Sequence, residues 1–200
     1  PELVRRGLRL QALGNRIIAL FGGRSVHPVG VRVGGFHCAP ARAEVDALAR
    51  DLEQSLPEAL ALLEWTLSLS LPVQSQGFVS VALRHDEEYP LYGGRLAGDD
   101  GLDIDVADFP RYFREFQAPH STALHSSYHP NGTDDPKERD YLVGPLARMN
   151  LNRERLPAQL RQRLQAGAWH GASRNVFHSI VARAAEICLA VSEATRLLQA

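Results

Sequence analysis

Leu10, Leu13, Ile17 and Phe21 recur at helical spacing, so the pattern predicts a helix over residues 3–21 that stops at Gly22. Gly7 and Gly14 lie seven apart within it, near one face. A glycine costs about 1 kcal/mol against alanine in a helix interior, which points to close approach of a neighbouring helix there. Beyond a glycine-rich stretch, Pro40 precedes "ARAEVDALARDLEQSLPEALALLEWTLSLSL". This is a second long helix or a broken pair, with Pro57 kinking it or opening a new helix, and Pro72 ends it.

The middle changes period. "FVSVALR" alternates as a strand does, and "GRLAGDDGLDIDV" predicts strand, Asp-Asp-Gly turn, strand. "DFPRYFREF" predicts a short amphipathic helix capped by Asp108, with Phe109, Phe113 and Phe116 on one face. "STALHSSYH" is a further strand, "NGTDDPKE" a loop, and "RDYLVGPLARMNLN" an apolar run entering a Gly-Pro break. A helix over Leu156 to Gln165, a loop with Trp169 and a terminal helix from Asn175 follow. The last carries an apolar stripe of Phe177, Ile180, Val181, Ala184, Ile187, Cys188, Val191 and Leu198. No internal repeat or low-complexity tract interrupts the order. The fold class is mainly α with a small inserted β-sheet (α+β): 1–72 helical with a glycine loop at 22–40, 73–150 the sheet insertion, 151–200 helical.

Composition narrows this picture. Against 22 basic residues stand 23 acidic ones, a balance with no long-range pull on nucleic acid or anionic membrane. No apolar run approaches the ~20 residues of a membrane span, and no signal peptide is present, so the expected compartment is the cytoplasm. Two cysteines, Cys38 and Cys188, fit a reducing compartment and are expected to be small buried thiols. The only methionine is Met149, and the final residues are still in helical period when the sequence stops. Both ends therefore read as cuts in a longer chain.

Local chemistry is sparse. His125 and His129 are four apart, but their flanks are strand-like, and on a strand that spacing does not chelate easily; with His120 they read as a solvated edge. "DDGLDIDVAD" lacks the glycine position and closing glutamate of a calcium loop, so it reads as a charged turn between exposed strands. No Ser-His-Asp set and no strand–GxGxxG–helix phosphate loop can be identified. The unexplained feature is "GGRSVHPVGVRVGG", which places Gly22, Gly23, His27, Pro28, Gly34 and Gly35 within fourteen residues.

That segment resembles the glycine–arginine–histidine–glycine stretch of the nickel–iron hydrogenase large subunit, closest to the cytoplasmic, cofactor-coupled, multimeric branch. "YLVGPLARMNLN" and "NVFHSIVARAAEICLAVSEATRLL" agree with the same family in the expected order. The resemblance implies the central part of that fold, between two CxxC motifs that supply four thiolates to the nickel–iron centre. Cys38 and Cys188 match neither pair, so no catalytic or metal-ligating residue carries over, and the segment alone is expected to be inactive. The parent activity would be reversible cleavage of dihydrogen. Its electrons would pass to an iron–sulfur small subunit, then onward to nicotinamide, deazaflavin or a similar acceptor. His27 matches the histidine at the small-subunit contact near the proximal cluster, and Arg24 would add charge to that surface. Gly22, Gly23, Pro28, Gly34 and Gly35 would shape the loop backbone. Other implied partners are the remaining segments of the large subunit, with self-association when isolated. The quinone-binding large subunit of NADH dehydrogenase shares the fold but agrees less well at "GPLARMNLN"; a non-catalytic helical scaffold and a His-based metal module are the further alternatives.

Overall fold

The computed structural model describes residues 2–167 and 169–200. It divides into two compact units, Pro1–Thr66 with Ala184–Ala200, and Leu67–Arg183.

In the first unit, α1 (Glu2–Gly22) and α2 (Arg42–Leu67) run antiparallel, since Arg9 pairs with Glu58 at 2.7 Å and Arg16 with Asp51 at 2.6 Å. These surface pairs set register more than they stabilise. Leu10, Leu13, Ile17 and Phe21 form the half-buried face of α1, as their spacing predicts. The neighbour expected at Gly7 and Gly14 is not there: a Cβ at either would meet nothing within 4 Å. Both glycines lie in a helix whose Leu3, Val4, Leu8 and Ile18 are exposed. α2 is one helix with Pro57 inside it, not a broken pair. Proline there costs about 3 kcal/mol, and burial of Leu48, Leu52, Ala59 and Leu63 outweighs it. Glu44 Oε2 accepts from the Ala41 N–H at 3.3 Å and holds the helix start, half of a capping box. A two-stranded hairpin, β1 (Val31–Arg32) and β2 (Gly35–Phe36), projects between the helices in sequence.

The last helix, α6 (Ser179–Gln199), buries Val181, Ala184, Ala185, Cys188 and Val191. Ile180 and Ile187 remain 39% and 37% exposed, so the buried stripe is narrower than the sequence pattern predicts.

The second unit is built on a four-stranded sheet ordered β5-β4-β3-β8, from β3 (Val79–Arg84), β4 (Arg95–Gly98), β5 (Asp103–Ile104) and β8 (Tyr141–Leu142). β3 pairs antiparallel with β4 and parallel with β8. Its odd positions Val79 and Val81 face a core with Leu102, Ile104, Phe113 and Tyr128. Ser80 and Ala82, on its other face, are also buried, against α4 (Pro145–Asn152), and only Arg84 at its end is exposed. The alternation in "FVSVALR" is therefore not a wet face and a dry one: Ser80 is fully buried and hydrogen-bonded.

Residues 109–117 differ from the sequence expectation. Asp108 stands at the N-cap position of the helical turn that follows but makes no side-chain cap hydrogen bond, while Asp105 caps a preceding 3-10 turn by accepting from the Ala107 N–H at 2.8 Å. One helical turn, α3 (Phe109–Tyr112), gives way to β6 (Phe113–Gln117), paired through five positions with β7 (Leu124–Tyr128). Strand pairing and the ring stack of Phe113 on Phe109 (4.5 Å) and Tyr128 (4.9 Å) override the helical period. Phe116, which a helix would align with Phe113, is exposed instead. A last short helix, α5 (Ala158–Ala166), precedes the Trp169 loop.

Candidate functional site

The site is the segment between α1 and α2. α1 ends at Gly22, whose carbonyl accepts from both the Val29 N–H (2.9 Å) and the Gly30 N–H (2.8 Å), folding residues 23–28 back onto the helix end. The crossing is too tight for side chains. A Cβ at Gly22 would sit 2.5 Å from Pro28 Cβ, and one at Gly30 would sit 2.7 Å from the Phe21 carbonyl oxygen. Gly30 is a requirement the spacing argument missed, because it lies outside the glycine pairs. Gly34, at φ 83°, turns the β1–β2 hairpin and Gly35 opens its second strand. The hairpin leans on the helix end through Phe36, whose ring is 5.6 Å from that of Phe21.

At the apex is His27, the one non-glycine residue with positive φ among the described residues, at 48°. A left-handed backbone costs a non-glycine residue about 1 kcal/mol or more, and such outliers concentrate where a side chain must be presented. Arg24 clamps the turn by donating from Nε to the His27 carbonyl at 2.6 Å. The His27 side chain is exposed. Gly22, Gly23, Arg24, His27 and Pro28 are thus brought together at the helix end, with Gly34 and Gly35 at the hairpin tip.

The other candidates do not converge. His120 and His125 have ring centroids 6.4 Å apart on one edge, but His129 is no part of a solvated edge; it is only 3% exposed. Its Nδ1 faces the Asp135 carbonyl at 2.9 Å, which can only accept, so Nδ1 carries the proton and Nε2 accepts from the Ser127 hydroxyl at 2.9 Å. Ser127 is itself buried, so the pair ties the loop 130–138 to β7. Cys38 is exposed, contrary to the expected buried thiol, while Cys188 is buried. Among the described residues no three His, Cys, Asp or Glu side chains group as a metal site. These residues therefore do not fit a four-thiolate nickel–iron centre.

The Asp-Asp-Gly turn is turned inward, not out. Asp100 accepts from the Tyr128 hydroxyl (3.0 Å) and from Arg139 (3.1 Å), and Asp99 takes the Ser80 N–H (3.1 Å) and Arg174 (3.0 Å). In "ARMNLN", Asn150 donates to the Ser80 hydroxyl and the Ser173 carbonyl, each at 2.9 Å, and accepts from the Ser173 N–H at 2.8 Å. Asn152 donates to the Leu83 carbonyl at 2.9 Å. That motif is a structural rivet between α4, β3 and the loop before α6. Among the described residues no helix is long and apolar enough to cross a membrane.

No family model matches the chain. Its sequence relatives are nonetheless of one kind. It is 26% identical over 197 residues to the alpha chain of sulfhydrogenase 1 from Pyrococcus furiosus, covering 96% of this chain and 43% of that protein. The alpha chain of sulfhydrogenase 2 from the same organism is 26% identical over 200 residues, 99% of this chain and 44% of the relative. The F420-non-reducing hydrogenase vhu of Methanocaldococcus jannaschii supplies a third relative. It is 24% identical over 163 residues, 76% of this chain and 38% of the relative. The homologues of this chain are hydrogenase large subunits. The fold agrees: an NAD+-reducing [NiFe]-hydrogenase superposes with TM-score 0.75 at 22% identity, over 99% of this chain and 47% of that one. The [NiFeSe]-hydrogenase of Dm. baculatum gives TM-score 0.55 at 18% identity, over 98% and 48%. The chain spans less than half the length of the hydrogenase subunits it matches.

Proposed function

We propose that these 200 residues are the central part of the large subunit of a cytoplasmic nickel–iron hydrogenase, which oxidises dihydrogen reversibly and passes electrons to an iron–sulfur small subunit. The observation that carries this reading is the match of 96–99% of the chain to two sulfhydrogenase alpha chains. The nickel–iron centre supplies the dihydrogen chemistry, and its thiolates lie in this proposal outside the 200 residues. This chain's share is the turn at 24–28. With a small subunit bound, a ring N–H of His27 could donate toward a cluster sulfur or its cysteine ligand, which would favour the reduced cluster. Arg24 fixes the turn that holds the ring out.

The test is the intact large subunit purified with its small subunit. His27→Ala is expected to slow electron delivery to the physiological acceptor and to lower the cluster potential, with nickel content unchanged. Normal turnover and an unshifted potential would remove His27 from this role. Failure of any iron–sulfur subunit to co-purify would refute the hydrogenase assignment itself.

A further inference from the structure

Two of the chain's histidines stand together on the β6–β7 hairpin. His125 lies in β7 opposite Phe116, and His120 lies in the turn that joins the strands. Their ring centroids are 6.4 Å apart, and both residues are exposed. Among the described residues no hydrogen bond or ion pair holds either imidazole, whereas buried His129 has both ring nitrogens engaged. The turn itself is fixed. Gln117 Nε2 donates to the Ala118 carbonyl at 3.3 Å and also to the Ser121 carbonyl. The Ser121 N–H donates to the Ala118 carbonyl at 3.0 Å, and the Ser121 hydroxyl to the Ala123 carbonyl at 3.0 Å. The Phe116 ring sits 5.6 Å from that of His125. Two unengaged imidazoles are therefore held near one another on a hairpin whose backbone is already ordered.

We propose that His120 and His125 chelate one borderline divalent cation, zinc or a metal of like preference, with water at its remaining positions. The spacing decides it. A zinc–nitrogen bond of about 2.0–2.1 Å places the ion about 3.2 Å from each ring centroid. Two imidazoles on one ion then have centroids about 5.2 Å apart at the tetrahedral angle and about 6.4 Å apart when opposed. The observed separation lies at the outer end of that range. Turning two exposed side chains about their χ angles covers the remaining ~1 Å. Imidazole selects the class of ion, because hard cations such as magnesium take oxygen ligands. Among the described residues no third His, Cys, Asp or Glu joins the pair. Such an ion keeps open positions, unlike a closed structural zinc. Nothing in this chelate depends on the hydrogenase assignment.

Equilibrium dialysis of the full natural chain against Zn2+, with Mg2+ in excess, tests it. His120→Ala and His125→Ala are each expected to weaken the uptake of one Zn2+ per chain about tenfold or more. His170→Ala, at an exposed histidine outside the hairpin, should leave uptake unchanged. The double variant should lose no more than either single one, because one ion is shared. Unchanged zinc uptake in either single variant overturns the chelate. Additive losses in the double variant overturn the shared ion and leave two separate one-histidine contacts. Displacement of the zinc by excess Mg2+ overturns imidazole ligation.

Discussion

Asn150→Ala is expected to destabilise the second unit severely, by about 3–5 kcal/mol, because one side chain there satisfies three groups. It donates to the Ser80 hydroxyl and the Ser173 carbonyl and accepts from the Ser173 N–H, at 2.8–2.9 Å. Each such bond contributes about 1 kcal/mol net, and each buried partner left alone costs about 1–3 kcal/mol. Ser80 is fully buried, so its hydroxyl has no water to turn to. Against a typical stability of about 5–15 kcal/mol, this loss removes a large share. Urea unfolding followed by Trp169 fluorescence measures it, since Trp169 is buried with its ring 5.3 Å from that of His178. A Trp65→Phe background removes the other tryptophan's signal. Ser80→Ala combined with Asn150→Ala should cost less than the two singles together, because the orphaned hydroxyl is gone. A loss below about 1 kcal/mol for Asn150→Ala would refute the reasoning, for it would mean that water replaces the amide.

Three further outcomes are expected. Gly7→Ala and Gly14→Ala should each stabilise the 200-residue chain by about 1 kcal/mol, because the added methyl meets nothing within 4 Å and alanine favours the helix; a lower melting temperature would reveal a close neighbour. Burial, and next the hydrogen bond to Asp100, push the Tyr128 hydroxyl above its ordinary range. The folded state thus keeps a proton that the unfolded state releases near pH ~10, so this contribution is complete below that pH and is lost as pH rises further. Alkaline unfolding should flatten in Tyr128→Phe, and an unchanged profile would contradict the assignment. The isolated chain should bind a hydrophobic dye and self-associate through its uncovered valines and the outer face of α1, whereas a dye-silent monomer by light scattering would count against an exposed contact surface.

Regular segments were the most legible in sequence. α1 announces itself because Leu10, Leu13, Ile17 and Phe21 keep one period and Gly22 ends it. β3 is legible for the same reason, though its burial on both faces is not: nothing in "FVSVALR" tells that Ser80 finds an asparagine seventy residues away. Residues 113–117 mislead because a three-and-four spacing of phenylalanines is local information, while pairing with β7 is not. The Asp-Asp-Gly turn misleads likewise, since carboxylates read as solvent-facing until Tyr128, Arg139 and Arg174 arrive from elsewhere. At the candidate site the glycine pairs and His27 stand out in sequence. The strained φ of His27 and the need for Gly30 emerge only when the chain crosses itself.

The first unit is discontinuous, interrupted between Thr66 and Ala184 by the whole of the second. During synthesis the helices α1 and α2 are therefore complete long before their unit is. At about 5–20 residues per second, the intervening stretch takes roughly 6–24 s to translate. Through that interval the unit lacks Ala184, Ala185, Cys188, Leu189 and Val191, all of which are buried in the finished fold. The uninterrupted segment Leu67–Arg183, by contrast, has every residue of its own sheet and rivet as soon as it leaves the ribosome. The nascent chain thus matures from the middle outward, with Leu48, Leu52 and Leu63 awaiting the residues that complete their unit.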